Sequence, residues 1–120
     1  MTYETMKASL NLIESPVEKL EMLMAFGKEL EVVPDGAECT EIIGCSSFVQ
    51  ICQKNGLFYA TADSAIVGGI VALFVAMVNG KSIAEIKNMD MEQEFKSLNL
   101  NLGAARLNGV NSMIRFFKKL

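Results

Sequence analysis

Cys45 has the clearest capacity for chemistry in this chain of 120 residues. It lies between Gly44 and the pair Ser46-Ser47, small neighbours that leave its thiol uncrowded and let backbone N–H groups turn toward the sulfur. The chain contains no histidine, so the usual general base and the commonest metal ligand are both missing. Any chemistry here is therefore expected to be that of a thiolate working without an imidazole.

Exchange between sulfur atoms suits such a residue. A thiolate of suitable pKa attacks the outer sulfur of a persulfide or a disulfide without a general base, so one accessible cysteine is sufficient. A cysteine hydrolase, in contrast, needs a histidine base and a third group that orients it. The alternative is that Cys45 is a small buried hydrophobic residue, and residue type alone leaves both interpretations open.

The three cysteines also raise the alternative of a metal or cluster scaffold. Cys39, Cys45 and Cys52 are separated by six and seven residues, and no CxxC pair occurs. Zinc and iron-sulfur sites prefer four convergent ligands, so this spacing fits them poorly even if Asp63 supplied a carboxylate.

The remaining cysteines and one arginine complete the candidate set. An odd number of cysteines without an apolar leader favours free thiols in a reducing cytoplasm. We expect Cys52 to be buried or on the surface of a strand, and Cys39 to be exposed and open to oxidation. Arg106, near the start of the last helix, is either solvated or placed to stabilise a thiolate or contact a partner.

The composition indicates what kind of domain positions these residues. With 51% hydrophobic residues, the chain is expected to form one domain over residues 1–120 with a real core. A net charge of −3 and few clustered basic residues argue against a nucleic-acid partner. The most apolar run, residues 65–78, is shorter than the ~18 residues of a bilayer span, so it predicts a buried helix and no membrane association.

The first part of the chain is predicted to be helical and then to change to strands. Ser15-Pro16 starts an amphipathic helix that runs to about Leu30, after a weaker helical pattern over residues 3–13. A turn follows at residues 33–36. Three short strands are expected around Ile42-Ile43, over residues 48–53 and over residues 57–61, and Asn55-Gly56 predicts a hairpin between the last two.

The second part of the chain returns to helices. Asp63-Ser64 is expected to cap the apolar helix, Ser82 and Asp90 to cap two short ones, and a final helix to bury an apolar stripe that comprises Leu107, Val110, Met113, Ile114 and Phe117. This order predicts an α+β fold in which a small antiparallel three-stranded sheet packs against helices.

Three strings, in order along the chain, carry a family resemblance: residues 43–49 around the cysteine, residues 62–73, and Arg106 to Gly109. Together they resemble the SufE-type family, the sulfur acceptor proteins of the iron-sulfur metabolism associated domain. The resemblance implies a fold like that of SufE and of IscU-type iron-sulfur scaffold proteins. It also implies that Cys45 accepts persulfide sulfur, that Asp63 and Ser64 form a loop and cap near it, and that Arg106 contacts the same region.

The resemblance further implies the partners. The sulfur donor would be a cysteine desulfurase, which the chain would stimulate, and the recipient an iron-sulfur scaffold or another sulfur acceptor. Pyridoxal phosphate would belong to the desulfurase, so no cofactor is expected on this chain, which would be a sulfur-transfer partner rather than a stand-alone enzyme. An alternative is a binding module that regulates a desulfurase by docking, with Cys45 merely packed.

Overall fold

Six helices and one three-stranded sheet make up the structure, a computed structural model that describes residues 1–120. The strands lie together in the middle of the chain with helices on either side in sequence, so the predicted α+β class is confirmed. The elements are α1 (Tyr3–Leu12), α2 (Pro16–Lys28), β1 (Glu38–Glu41), β2 (Val49–Lys54), β3 (Leu57–Ala62), α3 (Ala65–Val78), α4 (Ile83–Asn88), α5 (Met91–Lys96) and α6 (Ala104–Lys118).

The predicted helix starts are confirmed by their caps. Ser15, Ser64, Ser82 and Asp90 each accept a hydrogen bond from the backbone N–H three residues later. Such a bond satisfies one of the otherwise unpaired N–H groups of the first turn and stabilises a helix by about 1 kcal/mol. At Ser82 the return bond from the cap N–H to Glu85 also forms, whereas at Ser15 only the serine bond is present.

The sheet is antiparallel, with β2 in the centre. Asn55 and Gly56 both have positive φ, 53° and 79°, as the predicted hairpin turn between β2 and β3 requires. Val49 and Ile51 are fully buried, so the alternation of β2 directs them to the helices.

The first strand lies earlier than predicted. The strand is Glu38–Glu41, all of whose residues are exposed, while Ile42 is buried just after it and Ile43 is in the following loop. β-Branched side chains indicate a half-buried surface more than they indicate backbone pairing. For this reason Ile42 and Ile43 predicted the wrong position for the first strand.

Helix α3 forms the centre of the core. Ten of its 14 residues are buried, as predicted for the apolar run. It packs against α2, β3 and α6, and Phe74 stacks on Phe95 with ring centroids 5.5 Å apart. No helix in the structure combines the length and the hydropathy needed to cross a bilayer.

The predicted apolar stripe of α6 is confirmed except at its first member. Four of its residues are buried, but Leu107 is 45% exposed. The periodicity that places Leu107 on the stripe is correct, but nothing in the fold covers the start of α6 at that position.

The prediction of free thiols is wrong for two of the three cysteines. Cys39 and Cys52 form a disulfide between β1 and β2. They are directly opposite one another in the antiparallel register, with Cα atoms 4.0 Å apart. Their distance along the sequence could not show this, because it depends on the strand register. Cys39 is exposed and Cys52 is fully buried, as predicted.

Candidate functional site

Cys45 is the one free cysteine, and it lies half-buried in the loop that joins β1 to β2. Backbone hydrogen bonds hold the base of this loop. The Ile42 N–H donates to the Val49 carbonyl at 2.9 Å, and the Asp63 N–H donates to the Phe48 carbonyl at 3.1 Å. The thiol is therefore carried by a short loop whose two ends are fixed to the sheet.

Two glycines let this loop approach α6 closely. A Cβ atom added to Gly109, within α6, would lie only 2.9 Å from the Cys45 Sγ. Gly44 has a φ of +103°, and a side chain there would collide with the Ser112 hydroxyl. The absence of both side chains therefore allows the thiol to lie directly on the helix surface.

The space around the Cys45 thiol is small. A cavity of about 10 Å³ beside it is lined by Cys45, Val67, Ile70, Arg106, Gly109 and Met113, together with two small residues. Such a volume is at the lower limit for one water molecule. The structure thus brings Cys45 and Arg106 to the same cavity, and that cavity has no room for a small-molecule substrate.

Asp63 and Ser64 lie at the start of α3 and do not line this cavity. Ser64 caps the helix by accepting a hydrogen bond from the Val67 N–H, and Asp63 is exposed. Their positions match the expected loop and cap, but their side chains are not brought to the thiol.

The electrostatics of the site favour the neutral thiol. Burial raises the pKa of Cys45 above its ordinary value. Arg106 is half-buried and makes no ion pair, since the single ion pair of the structure joins Lys7 and Glu94. Its guanidinium is thus available to an anion on or near Cys45. In this conformation, however, burial determines the direction in which the pKa of the thiol is shifted.

The part of α6 beneath the loop was missed by sequence reasoning. Ser112 donates to the Asn108 carbonyl at 3.1 Å and accepts from Arg115 Nη2 at 3.0 Å, which fixes the hydroxyl that faces Gly44. The Ser47 hydroxyl is buried without a hydrogen-bond partner. A glycine inside an amphipathic helix was the available signal, because an interior glycine such as Gly109 usually marks a close approach.

The structure does not assemble the three-cysteine metal scaffold. Cys39 and Cys52 are bonded to each other, and no three residues of the Cys, Asp and Glu types come together as a set of ligands. A cavity of about 630 Å³ lies between the N-terminus, the end of α2, β3 and α3, away from Cys45 and Arg106.

Comparison with known proteins decides the family. The sequence matches SufE, the Fe-S metabolism associated domain, over residues 4–120. The chain belongs to the SufE family. Among SufE relatives, it is 30% identical to the sulfur acceptor protein CsdE of Escherichia coli K12, with 94% of this chain and 83% of that protein covered. It is also 30% identical to an uncharacterized SufE-like protein of Rhizobium meliloti, with 84% and 81% covered.

A solved structure shares the fold. The solution structure of a hypothetical protein from Thermus thermophilus superposes with a TM-score of 0.65, covering 99% of this chain and 94% of that one. The sequence identity is 17%, so this likeness concerns the fold alone.

Proposed function

We propose that this SufE-family chain accepts sulfur as a persulfide on Cys45 from a cysteine desulfurase and passes it on to iron-sulfur cluster assembly in the cytoplasm. The observation that carries the proposal is the placement of the single free thiol on a surface loop, in contact with the same cavity as Arg106. The sulfur acceptor named among its relatives supports the same chemistry.

The transfer step requires only sulfur exchange. The Cys45 thiolate attacks the outer sulfur of the donor's persulfide, a new S–S bond forms on Cys45, and the donor's S–S bond breaks. The electron pair leaves with the donor cysteine as a thiolate, which takes up the proton released from Cys45, so there is no net oxidation. Pyridoxal phosphate acts in the desulfurase, where the persulfide is made.

The donor in this proposal is a protein. The cavity beside Cys45 is too small for a free substrate, so the reacting sulfur must be brought to the surface of the loop. Exposed apolar side chains lie in this loop and on α6, Ile43 at 77% and Leu107 at 45% exposure. Apolar groups exposed beside a reactive residue are typical of a surface that a partner covers.

Docking would also overcome the raised pKa. Burial holds Cys45 in its thiol form, whereas exchange needs the thiolate. Movement of the loop toward the donor would restore solvent to the sulfur and leave Arg106 free to stabilise the anion. The Cys45 persulfide is then presented to an iron-sulfur scaffold or another acceptor.

Mass spectrometry of the intact protein tests the proposal. After incubation with a cysteine desulfurase and L-cysteine, we expect a gain of one sulfur atom that a reductant removes. Cys45→Ser should abolish this gain, while the matched control Cys39→Ser/Cys52→Ser should retain it. A chain that stimulates the desulfurase but gains no sulfur would show a docking role instead, and a gain that persists in Cys45→Ser would show that Cys45 is not the acceptor.

A further inference from the structure

We propose that the Cys39–Cys52 disulfide is a thiol-exchange site for a dithiol reductant, and that its redox state controls how readily Cys45 leaves α6. This inference concerns the regulation of Cys45 and rests on the proposed function. The effect of the disulfide on access to Cys45 can be measured without any desulfurase.

The disulfide closes the stem of the loop that carries Cys45. It joins residues 13 positions apart, and Cys45 lies six residues after Cys39 and seven before Cys52. The free thiol is thus at the middle of the covalently closed segment. A cross-link around a segment of this size removes much of the conformational freedom that opening would gain.

Without the disulfide, strand β1 would be weakly held. It is an edge strand of four residues, it pairs only with β2, and each of its residues is exposed. In an antiparallel ladder, residue pairs with backbone hydrogen bonds alternate with pairs that have none. Ile42 and Val49 are a hydrogen-bonded pair, so in the same register Cys39 and Cys52 have no backbone hydrogen bonds to each other. The S–S bond is therefore the only direct link between these two residues.

The two bonded cysteines differ in exposure. Cys39 is exposed at the sheet edge, whereas Cys52 is fully buried. A thiolate of the reductant can therefore attack the Cys39 sulfur, which displaces Cys52 as a thiolate that takes up a proton. The second thiol of the reductant then attacks its own sulfur in the mixed disulfide and releases Cys39, so that the reductant is oxidised by two electrons to its disulfide.

Reduction changes which motions are available to Cys45. In the oxidised form, β1 cannot separate from β2 at Cys39, and the thiol stays close to Gly109. In the reduced form, the exposed edge strand opens locally as a unit with the loop, as weakly buried segments do. In the cytoplasmic setting of the proposed function, a disulfide of this kind is typically transient and redox-sensing rather than permanent.

Alkylation of Cys45 measures this directly. The rate is followed by the mass of the Cys45 peptide in the oxidised protein, in the protein reduced with dithiothreitol and then freed of it, and in Cys39→Ser/Cys52→Ser, where Cys45 is the single thiol. We expect both unlinked forms to react about tenfold faster than the oxidised form, which corresponds to about 1.4 kcal/mol in the opening equilibrium.

The matched control is Glu41→Ala/Gln50→Ala, which alters a cross-strand pair two residues along the same two strands and keeps the disulfide. In this variant, Cys45 should be alkylated at the same rate as in the oxidised native chain. Equal Cys45 rates in the oxidised and reduced proteins, or a disulfide that dithiothreitol leaves intact in the folded protein, would overturn the inference.

A persulfide assay in both redox states separates this inference from the proposed function. Faster sulfur gain in the reduced form supports both. A redox-dependent alkylation rate without any sulfur gain overturns the proposed function and leaves the control of access standing. Equal sulfur gain in both states overturns the regulatory role alone.

Discussion

At the scale of single residues, the contact between Cys45 and Gly109 decides how the thiol is held. Cys45 was identifiable from its small neighbours and from the absence of histidine, and the structure shows it free and near the surface. Its raised pKa and its contact with α6 were not predictable, because both depend on residues far along the chain that the fold brings to the loop.

The substitution Gly109→Ala tests this contact. The added methyl group would lie 2.9 Å from the Cys45 Sγ, so we expect the loop to move outward and Cys45 to be alkylated several-fold faster. Alanine is favoured over glycine inside a helix by about 1 kcal/mol, which should keep the unfolding free energy close to that of the native chain. The control is Asn111→Ala, at an exposed position of the same helix. An unchanged alkylation rate in Gly109→Ala would contradict this account.

At the scale of elements, the sequence predicted most helices and strands because their signals are local. Serine and aspartate caps, the Asn55-Gly56 turn and the apolar run of α3 need no knowledge of the rest of the fold. The position of β1 and the exposure of Leu107 were missed, because each depends on which surface another element covers. The disulfide was missed because it depends on how β1 and β2 are aligned.

The packing of α2 on α3 gives a prediction at this scale for two adjacent glycines. A side chain on Gly69 would collide with the backbone carbonyl of Leu23, whereas one on Gly68 would make ordinary contact, 3.8 Å from the Gly27 Cα. We expect Gly69→Ala to destabilise the protein by about 3 kcal/mol, because a backbone group cannot rotate away. Gly68→Ala should be neutral or stabilising by up to about 1 kcal/mol.

Urea unfolding of the two variants measures the difference, and each variant is the other's control. Equal stabilities would mean that the helices separate easily at this crossing and that the glycines do not determine their distance.

At the scale of the whole molecule, one polar cluster joins the first helix to the second half of the chain. Lys7 and Tyr3 on α1 both donate to Glu94 on α5, at 2.8 and 2.7 Å. The Lys7 bond, and then the Tyr3 bond, lowers the pKa of Glu94. This long-range contact could not be predicted from the sequence, which suggested only a weak helix over residues 3–13.

The lowered pKa sets the pH dependence of this contact. Because the folded protein favours the Glu94 carboxylate, the contribution to stability is present above the ordinary glutamate pKa and is lost as the pH falls through the lowered value. The cluster is partly exposed, so we expect Glu94→Gln to destabilise the protein by less than about 1 kcal/mol at neutral pH.

Unfolding measured at neutral and at acid pH checks this expectation. The difference between the native chain and Glu94→Gln should disappear at acid pH, while Glu92→Gln, an exposed change on the same helix, should have little effect at either pH. A difference that persisted in acid would show that packing, rather than charge, is responsible.

If the chain accepts sulfur as proposed, the tight fit between the loop and α6 has a consequence for the form that carries the persulfide. A cavity of about 10 Å³ is too small to accept the additional atom of a persulfide without rearrangement. The protein with a persulfide on Cys45 would therefore differ in shape from the protein with a free thiol, and the terminal sulfur would project outward. An acceptor protein that recognises this shape would distinguish the persulfide form from the thiol form before any sulfur is transferred.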